Sequence, residues 1–89
     1  MISNQIIQNS IEELKTITKV DFGVFDLNGN CMASTFETTE EEKKLVVNFV
    51  ASPADSQVIG AHHLLKVVDE EEVNYILDAR GLGDDAYMI

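Results

Sequence analysis

Apolar positions recur with a helical period in two stretches of the chain. From Ser3 to Thr18, isoleucines and a leucine are spaced by three or four residues, which is typical of one face of an amphipathic helix. From Glu40 to Val50, a second apolar stripe follows the same period. Thr39 and Glu42 have the spacing of a capping box, in which each group bonds the other's backbone. The pattern therefore predicts two helices, the second beginning at Glu40.

Elsewhere the apolar and polar residues follow the period of a β-strand. Val20 to Phe25 and Cys31 to Phe36 flank the pair Asn28-Gly29. Asn-Gly between two such runs is the strongest short-range signal of a hairpin, because both residues tolerate positive φ. After the second helix, Val58 to Val68 is predicted to be one long strand, and Glu72 to Ala79 the strand that returns.

Together these elements predict an α+β domain. It would contain an antiparallel sheet, an N-terminal helix and a helix that covers one face of the sheet. Asp84 and Asp85 would begin a third helix, which is cut short at Ile89. The chain has 89 residues, so we expect a single domain with one modest core, residues 1–89. Because the chain ends in an apolar stretch that starts a helix without a cap, we expect a fragment of a longer protein; the alternative is a natural product of 89 residues.

Composition and charge exclude several classes of function. The net charge of −10 opposes binding to nucleic acid or to anionic membranes. The sequence contains neither an apolar run long enough for a membrane helix nor the pattern of a signal peptide, so we expect a cytoplasmic location. Cys31 is the sole cysteine, which rules out an intramolecular disulfide and a thiolate metal cluster. We expect it to be a small, half-buried residue.

The adjacent histidines, His62 and His63, are the first candidates for chemistry. Neighbouring residues of a strand point to opposite faces, so these two cannot bind one metal ion together. The acidic runs lack the spacing of an EF-hand, and we expect no metal. Two interpretations of the histidines stay open. Either one is half-buried under a helix and the other exposed, or one lines a small-molecule pocket.

No arrangement of an enzyme is visible. Asp55, Ser56 and His62 could form a triad on paper, but no nucleophile elbow surrounds the serine. Gly81-Leu82-Gly83 lacks the third glycine of a dinucleotide loop. We therefore expect neither catalysis nor a cofactor. Arg80, the sole arginine, has a planar fork that suits a carboxylate ligand; the alternative is an ion pair with one of the 16 acidic residues.

Three runs of sequence carry a family resemblance. Residues 20–30, 51–57 and 83–89, which read VDFGVFDLNGN, ASPADSQ and GDDAYMI, are similar to the N-terminal PAS-like sensor of bacterial sugar-diacid-type transcriptional regulators. The resemblance covers essentially the whole chain. It implies a PAS-like or profilin-like sensor without catalytic residues, which controls a helix-turn-helix module further along the polypeptide. It also implies that the ligand is a small carboxylated metabolite.

Two hypotheses of function follow. In the first, a pocket between the sheet and the Glu40–Val50 helix binds the metabolite. The residues expected to line it are Phe22, His62 and Tyr75, with Ser52, Asp55, Ser56 and Arg80 as polar candidates. In the second, the domain is a dimerisation module without a ligand. Its isoleucine-rich first helix would contact a second copy, and the chain would form a homodimer. The two hypotheses are compatible with each other.

Overall fold

The computed structural model describes residues 4–81, without the side chain of residue 69. In chain order the elements are α1 (Asn4–Thr18), β1 (Asp21–Phe25), β2 (Cys31–Ser34), α2 (Glu40–Ala51), β3 (Ser56–Ile59), β4 (His62–Asp69) and β5 (Glu72–Arg80). The strands form one antiparallel sheet in the order β2-β1-β5-β4-β3. This confirms the α+β class and is consistent with a PAS/profilin-like fold. The predicted third helix lies outside the described residues.

The sheet is covered by a helix on each face, as its burial shows. On what we call the α1 face, the core consists of Ile11, Val20, Phe22, Val24, Ala33 and Ala79. On the opposite, α2 face, it consists of Phe25, Val46, Phe49, Leu64 and Ile76. Successive side chains of a strand point to opposite faces, so β1 supplies side chains to both cores. Its burial on both faces explains why this strand reads as nearly continuous apolar sequence.

The first hairpin lies where the sequence predicts it, and backbone hydrogen bonds define its loop. The Gly29 N–H donates to the Asp26 carbonyl and the Asp26 N–H to the Asn30 carbonyl, so the loop has three residues. Gly29 has a φ of +85°. Asn28 does not share a positive φ, so only the glycine of the Asn-Gly pair adopts the conformation that both residues tolerate. The Asp26 carboxylate accepts the N–H groups of Asn28 and Asn30, each at 2.9 Å, and thereby holds the wider loop.

The single long strand predicted from Val58 to Val68 is wrong. The chain reverses at Gly60 and Ala61, so that Ile59 of β3 pairs with His62 of β4. Gly60 has a φ of +59°, which glycine adopts at little steric cost. Periodicity alone misses this turn because the apolar alternation continues on both sides of it.

A side chain of α1 satisfies backbone groups at the β2 edge of the sheet. At the outer edge of β2, the side-chain amide of Gln8 donates to the Ser34 carbonyl at 2.8 Å and accepts the Ser34 N–H at 3.0 Å. The helix α1 thus satisfies this edge as another strand would. Cys31, expected to be half-buried, is exposed at the start of the same strand.

Candidate functional site

A buried carboxyl group lies in the middle of the α2 face. Asp78 of β5 follows Ile76 on that face and is 1% exposed. The ring atom Nδ1 of His62 lies 2.9 and 3.1 Å from its two oxygens. When Asp78 is ionised, its carboxylate only accepts hydrogen bonds, and Nδ1 is then the donor. Buried charges in proteins are nearly always paired in this way, because an unpaired one is costly.

The first turn of α2 adds a second acid. Glu42 accepts the Thr39 N–H at 3.0 Å and the Thr39 hydroxyl, which completes the predicted capping box. The same side chain is buried, and its other oxygen lies 3.9 Å from Nη1 of Arg80. One residue therefore both begins the helix and links it to β5.

Arg80, at the end of β5, lies beside these side chains at the rim of the sheet. Its guanidinium carbon lies 5.2 Å from the centre of the Phe36 ring, while its side chain remains 45% exposed. Gly23 makes room for that ring, because a Cβ there would come within 3.2 Å of it. We refer to Glu42, His62, Asp78 and Arg80 as the polar cluster. Three separate elements, α2, β4 and β5, supply it.

The environment shifts the pKa values of the two acids, Asp78 and Glu42, in opposite directions. Burial raises the pKa of Asp78, helped by the charge of Glu42 and opposed by His62 and Arg80. Burial also acts to raise the pKa of Glu42. There, however, hydrogen bonds from Thr39 and the helix backbone, together with the charge of His62, outweigh it and lower the pKa. The cluster therefore holds one acid that resists ionisation beside one that favours it.

Two of the seven predicted ligand-binding residues, His62 and Arg80, belong to the polar cluster. His62 and Arg80 are directly opposed on β4 and β5, on the α2 face. Phe22 and Tyr75 lie on the α1 face, where Phe22 is fully buried and Tyr75 packs against the core. The backbone alternation that separates the two faces prevents these aromatic residues from sharing a pocket with His62.

The three remaining candidates lie beside the middle of β4, at Leu65 and Lys66. Ser52 and Asp55 offer their backbone carbonyls to Lys66, through its ammonium and its N–H respectively. Ser56 is exposed and pairs with Leu65. Lys66 is four residues from His62 along β4, or about 13 Å at the rise of a strand. These three residues therefore do not join the polar cluster.

Apolar side chains occupy the space expected to form a pocket. Phe25, Phe49, Val46 and Leu64 fill the interface of α2 with the sheet. Cavities described in the structure lie elsewhere. One of about 440 Å³ lies between Gly29–Cys31 and the start of α2, and another of about 570 Å³ lies between α1 and residues 34–37. A carboxylate ligand would have to approach Arg80 from the rim.

Sequence reasoning missed Asp78 and Phe36 and gave Glu42 only a capping role. A signal for Asp78 was present, because it follows Asn74 and Ile76 in the same phase of β5. The acid thus continues a row that is buried at Ile76. Nothing local marks Phe36 as the platform for Arg80. Among residues 4–81, no group of three or more His, Cys, Asp or Glu side chains is arranged to hold a metal ion.

No protein-family model matches the sequence, and no curated protein matches it significantly. Within residues 4–81, none of the helices has the length and apolar character needed to cross a membrane.

Proposed function

We propose that this chain is the sensory domain of a bacterial transcriptional regulator, and that it binds a small carboxylated metabolite through Arg80. The observation that carries the proposal is the polar cluster, a set of charged groups beside the apolar core on the α2 face of a small α+β domain. Perturbed, partly buried ionisable groups of this kind concentrate at functional sites. The family resemblance of the sequence supports the same role.

Arg80 is suited to the ligand by its exposure and its geometry. Its contact with Glu42 spans 3.9 Å, which is longer than a hydrogen bond, and its plane rests on the Phe36 ring. A carboxylate that accepts two parallel N–H groups from the guanidinium would make a stronger contact than this long ion pair. The ligand would therefore compete with Glu42 for Arg80.

That competition supplies a route for the signal. Glu42 caps α2 and faces His62 and Arg80 across the seam between helix and sheet. Drawing Arg80 towards a ligand removes a cation from beside Glu42, and so biases the first turn of α2. In this proposal the domain is not an enzyme and the regulator acts in the cytoplasm. DNA contact is left to another part of the polypeptide, since the charge of −10 repels DNA.

The test is thermal unfolding of the chain with a panel of dicarboxylates and sugar acids, with neutral sugar alcohols as the matched panel. A ligand at about 100 times its Kd adds about 2.7 kcal/mol to the free energy of unfolding. For a domain of this size the melting temperature rises by roughly ten degrees. Arg80→Ala should abolish the rise, whereas Lys44→Ala, which removes an exposed cation of α2, should keep it. No rise with any acid would overturn the proposal.

A second function is favoured by the outer surface of α1. Ile17 is 78% exposed and Ile6 is also exposed, whereas Ile11, on the side of the same helix that packs on the sheet, is buried. Large exposed apolar residues on one stripe mark a site for a partner. We propose that the domain also dimerises, and light scattering of the chain at increasing concentration tests this.

A further inference from the structure

We infer that Phe36 is a positioning residue of the ligand site, whose ring holds the guanidinium of Arg80 in the orientation that a carboxylate requires. The inference rests on the proposed binding of a carboxylate by Arg80, and it adds a residue that acts through Arg80. It also explains Gly23, whose missing side chain leaves space for the ring.

The side chain of Arg80 needs a support at the rim of the sheet. It is 45% exposed, and its Nη1 atom lies 3.9 Å from Oε1 of Glu42, which is longer than a hydrogen bond. A long exposed side chain populates many rotamers, and fixing one of them on binding costs conformational entropy. The guanidinium lies over the Phe36 ring, with 5.2 Å between its carbon and the ring centre, so the ring restricts these rotamers.

Hydrogen bonds to β1 hold the backbone that carries Phe36. The Ser34 hydroxyl donates to the Phe36 carbonyl at 2.7 Å. The Thr35 N–H donates to the Phe22 carbonyl at 2.9 Å, and the Phe22 N–H donates to the Thr35 hydroxyl at 2.9 Å. That hydroxyl in turn donates to a carboxylate oxygen of Asp21 at 2.9 Å. The segment that follows β2 is therefore tied to β1, which fixes the place of the ring.

The anchor of this segment is the neighbour of Arg80 in the sheet. Asp21 of β1 is paired directly with Arg80 of β5. Its carboxylate lies 2.8 Å from the ammonium of Lys15 of α1 and also accepts the Thr35 hydroxyl. Because Lys15 and Thr35 already satisfy this carboxylate, the acid opposite Arg80 does not draw the guanidinium off the Phe36 ring.

Gly23 supplies the space in which the ring lies. It is on the α2 face of β1 and pairs with Asp78 of β5. A Cβ at this position would lie 3.0 Å from the Phe25 ring and 3.2 Å from the Phe36 ring, so the rings would have to move. The φ of Gly23 is not positive, so its own backbone does not require glycine. The missing side chain therefore serves the packing of the two rings.

This arrangement prepares the guanidinium for a planar ligand group. Its N–H donors lie in the plane of the group, and the Phe36 ring covers one side of it. A carboxylate accepts two parallel N–H groups within that plane. An arginine that is already ordered loses less conformational freedom on binding, so we expect the ring to improve the affinity roughly three- to tenfold.

The first measurement follows the Nε–H group of Arg80 in a proton–nitrogen correlation spectrum. Arg80 is the sole arginine, so its signal is identified without further assignment. The heteronuclear NOE of this signal should be high in the unmodified chain, low in Phe36→Leu and restored in Phe36→Tyr, which keeps the ring. Gly23→Ala, which displaces the ring, should also lower it. Tyr75→Leu is the matched control, because it removes a ring on the opposite, α1 face.

The second measurement is a titration with acetate, followed by the same signal at constant ionic strength, with acetamide as the neutral control. Phe36→Leu and Gly23→Ala should bind acetate roughly three- to tenfold more weakly than the unmodified chain. Phe36→Tyr and Tyr75→Leu should bind it as tightly as the unmodified chain. Dispersion of the backbone signals confirms that each variant is folded, and Gly23→Ala decides the question if Phe36→Leu is not.

The outcomes separate the role of Phe36 from the site itself. If acetate binds the unmodified chain and Phe36→Leu equally tightly, the role of Phe36 is wrong and the carboxylate site stands. An equal loss of affinity in Tyr75→Leu would also contradict that role, because a general loss of stability would then explain both variants. If acetate does not displace the Arg80 signal of the unmodified chain, the carboxylate site and the role of Phe36 are both overturned.

Discussion

At the scale of single residues, backbone conformation and close approach decide which positions tolerate change. Gly29 and Gly60 both have positive φ, at +85° and +59°. Their surroundings differ. A Cβ at Gly29 would lie 3.0 Å from the Lys43 carbonyl oxygen of α2, whereas a Cβ at Gly60 would meet nothing within 4 Å. The first glycine is therefore required by the fold of the whole domain, and the second only by its own turn.

Alanine at the two glycines should separate these effects. Gly60→Ala should lower the free energy of unfolding by about 1 kcal/mol, the cost of a left-handed residue with a side chain. Gly29→Ala should lose a further 1–3 kcal/mol, roughly, because the helix backbone cannot move aside easily. Urea unfolding of both variants measures the difference. Equal losses would contradict the close contact between the first hairpin and α2.

At the scale of elements, the turn between β4 and β5 is formed by unusual residues. Glu70 and Glu71 have φ values of +53° and +69° between the paired residues Asp69 and Glu72. Positive φ at both central positions is typical of a type I′ turn, which strongly favours Asn-Gly. The sequence places a turn here, between the predicted strands that end at Val68 and begin at Glu72. The positive φ of Glu70 and Glu71 is not favoured by the local sequence. It is imposed by the antiparallel pairing of β4 with β5, which leaves two residues to reverse the chain.

Replacing Glu70-Glu71 by Asn-Gly should stabilise the domain. The exchange removes two side chains from a disfavoured conformation, and we expect the free energy of unfolding to rise by about 1 kcal/mol. The urea midpoint measures it. Glu70→Gln with Glu71→Gln is the control, since it removes the same two charges but keeps the side chains at positive φ. A gain in the control as large as that from Asn-Gly would assign the effect to charge.

At the scale of the whole molecule, the polar cluster makes stability depend on pH. It joins α2, β4 and β5 within a chain that carries a net charge of −10. The pKa of Glu42 is lowered from an ordinary value of 4.5. An acid with a lowered pKa contributes stability above its ordinary pKa and loses it as the pH falls through the folded-state value. Burial raises the pKa of Asp78, so its contribution runs in the opposite direction.

Glu42→Gln should therefore flatten the acid side of the stability profile. Between pH 6 and about pH 3, the unmodified chain should lose more free energy of unfolding than this variant, which no longer carries the group that must be protonated. Urea unfolding at the two pH values measures the loss. Glu41→Gln, an exposed change in the same helical turn, should behave like the unmodified chain. A loss in Glu42→Gln as large as that of the unmodified chain would contradict the assigned direction.

The sequence by itself determined the helices, most strand positions, the first hairpin and the cap of α2. These features depend on periodicity, capping and turn chemistry, which involve residues that are close along the chain. Its error between Val58 and Val68 has the same origin, because the apolar alternation that continues through Gly60 concealed a reversal of the chain.

Only the tertiary structure decided which candidate residues meet. The register of β4 on β5 places His62 opposite Arg80 and within reach of Asp78, and the position of α2 brings Glu42 to them. The same alternation sends Phe22 and Tyr75 to the other face. Register and helix position depend on burial between residues far apart in sequence. Periodicity therefore indicated that His62 and Arg80 lie on strands, whereas the carboxylates beside them emerged only from the packing of α2 against the sheet.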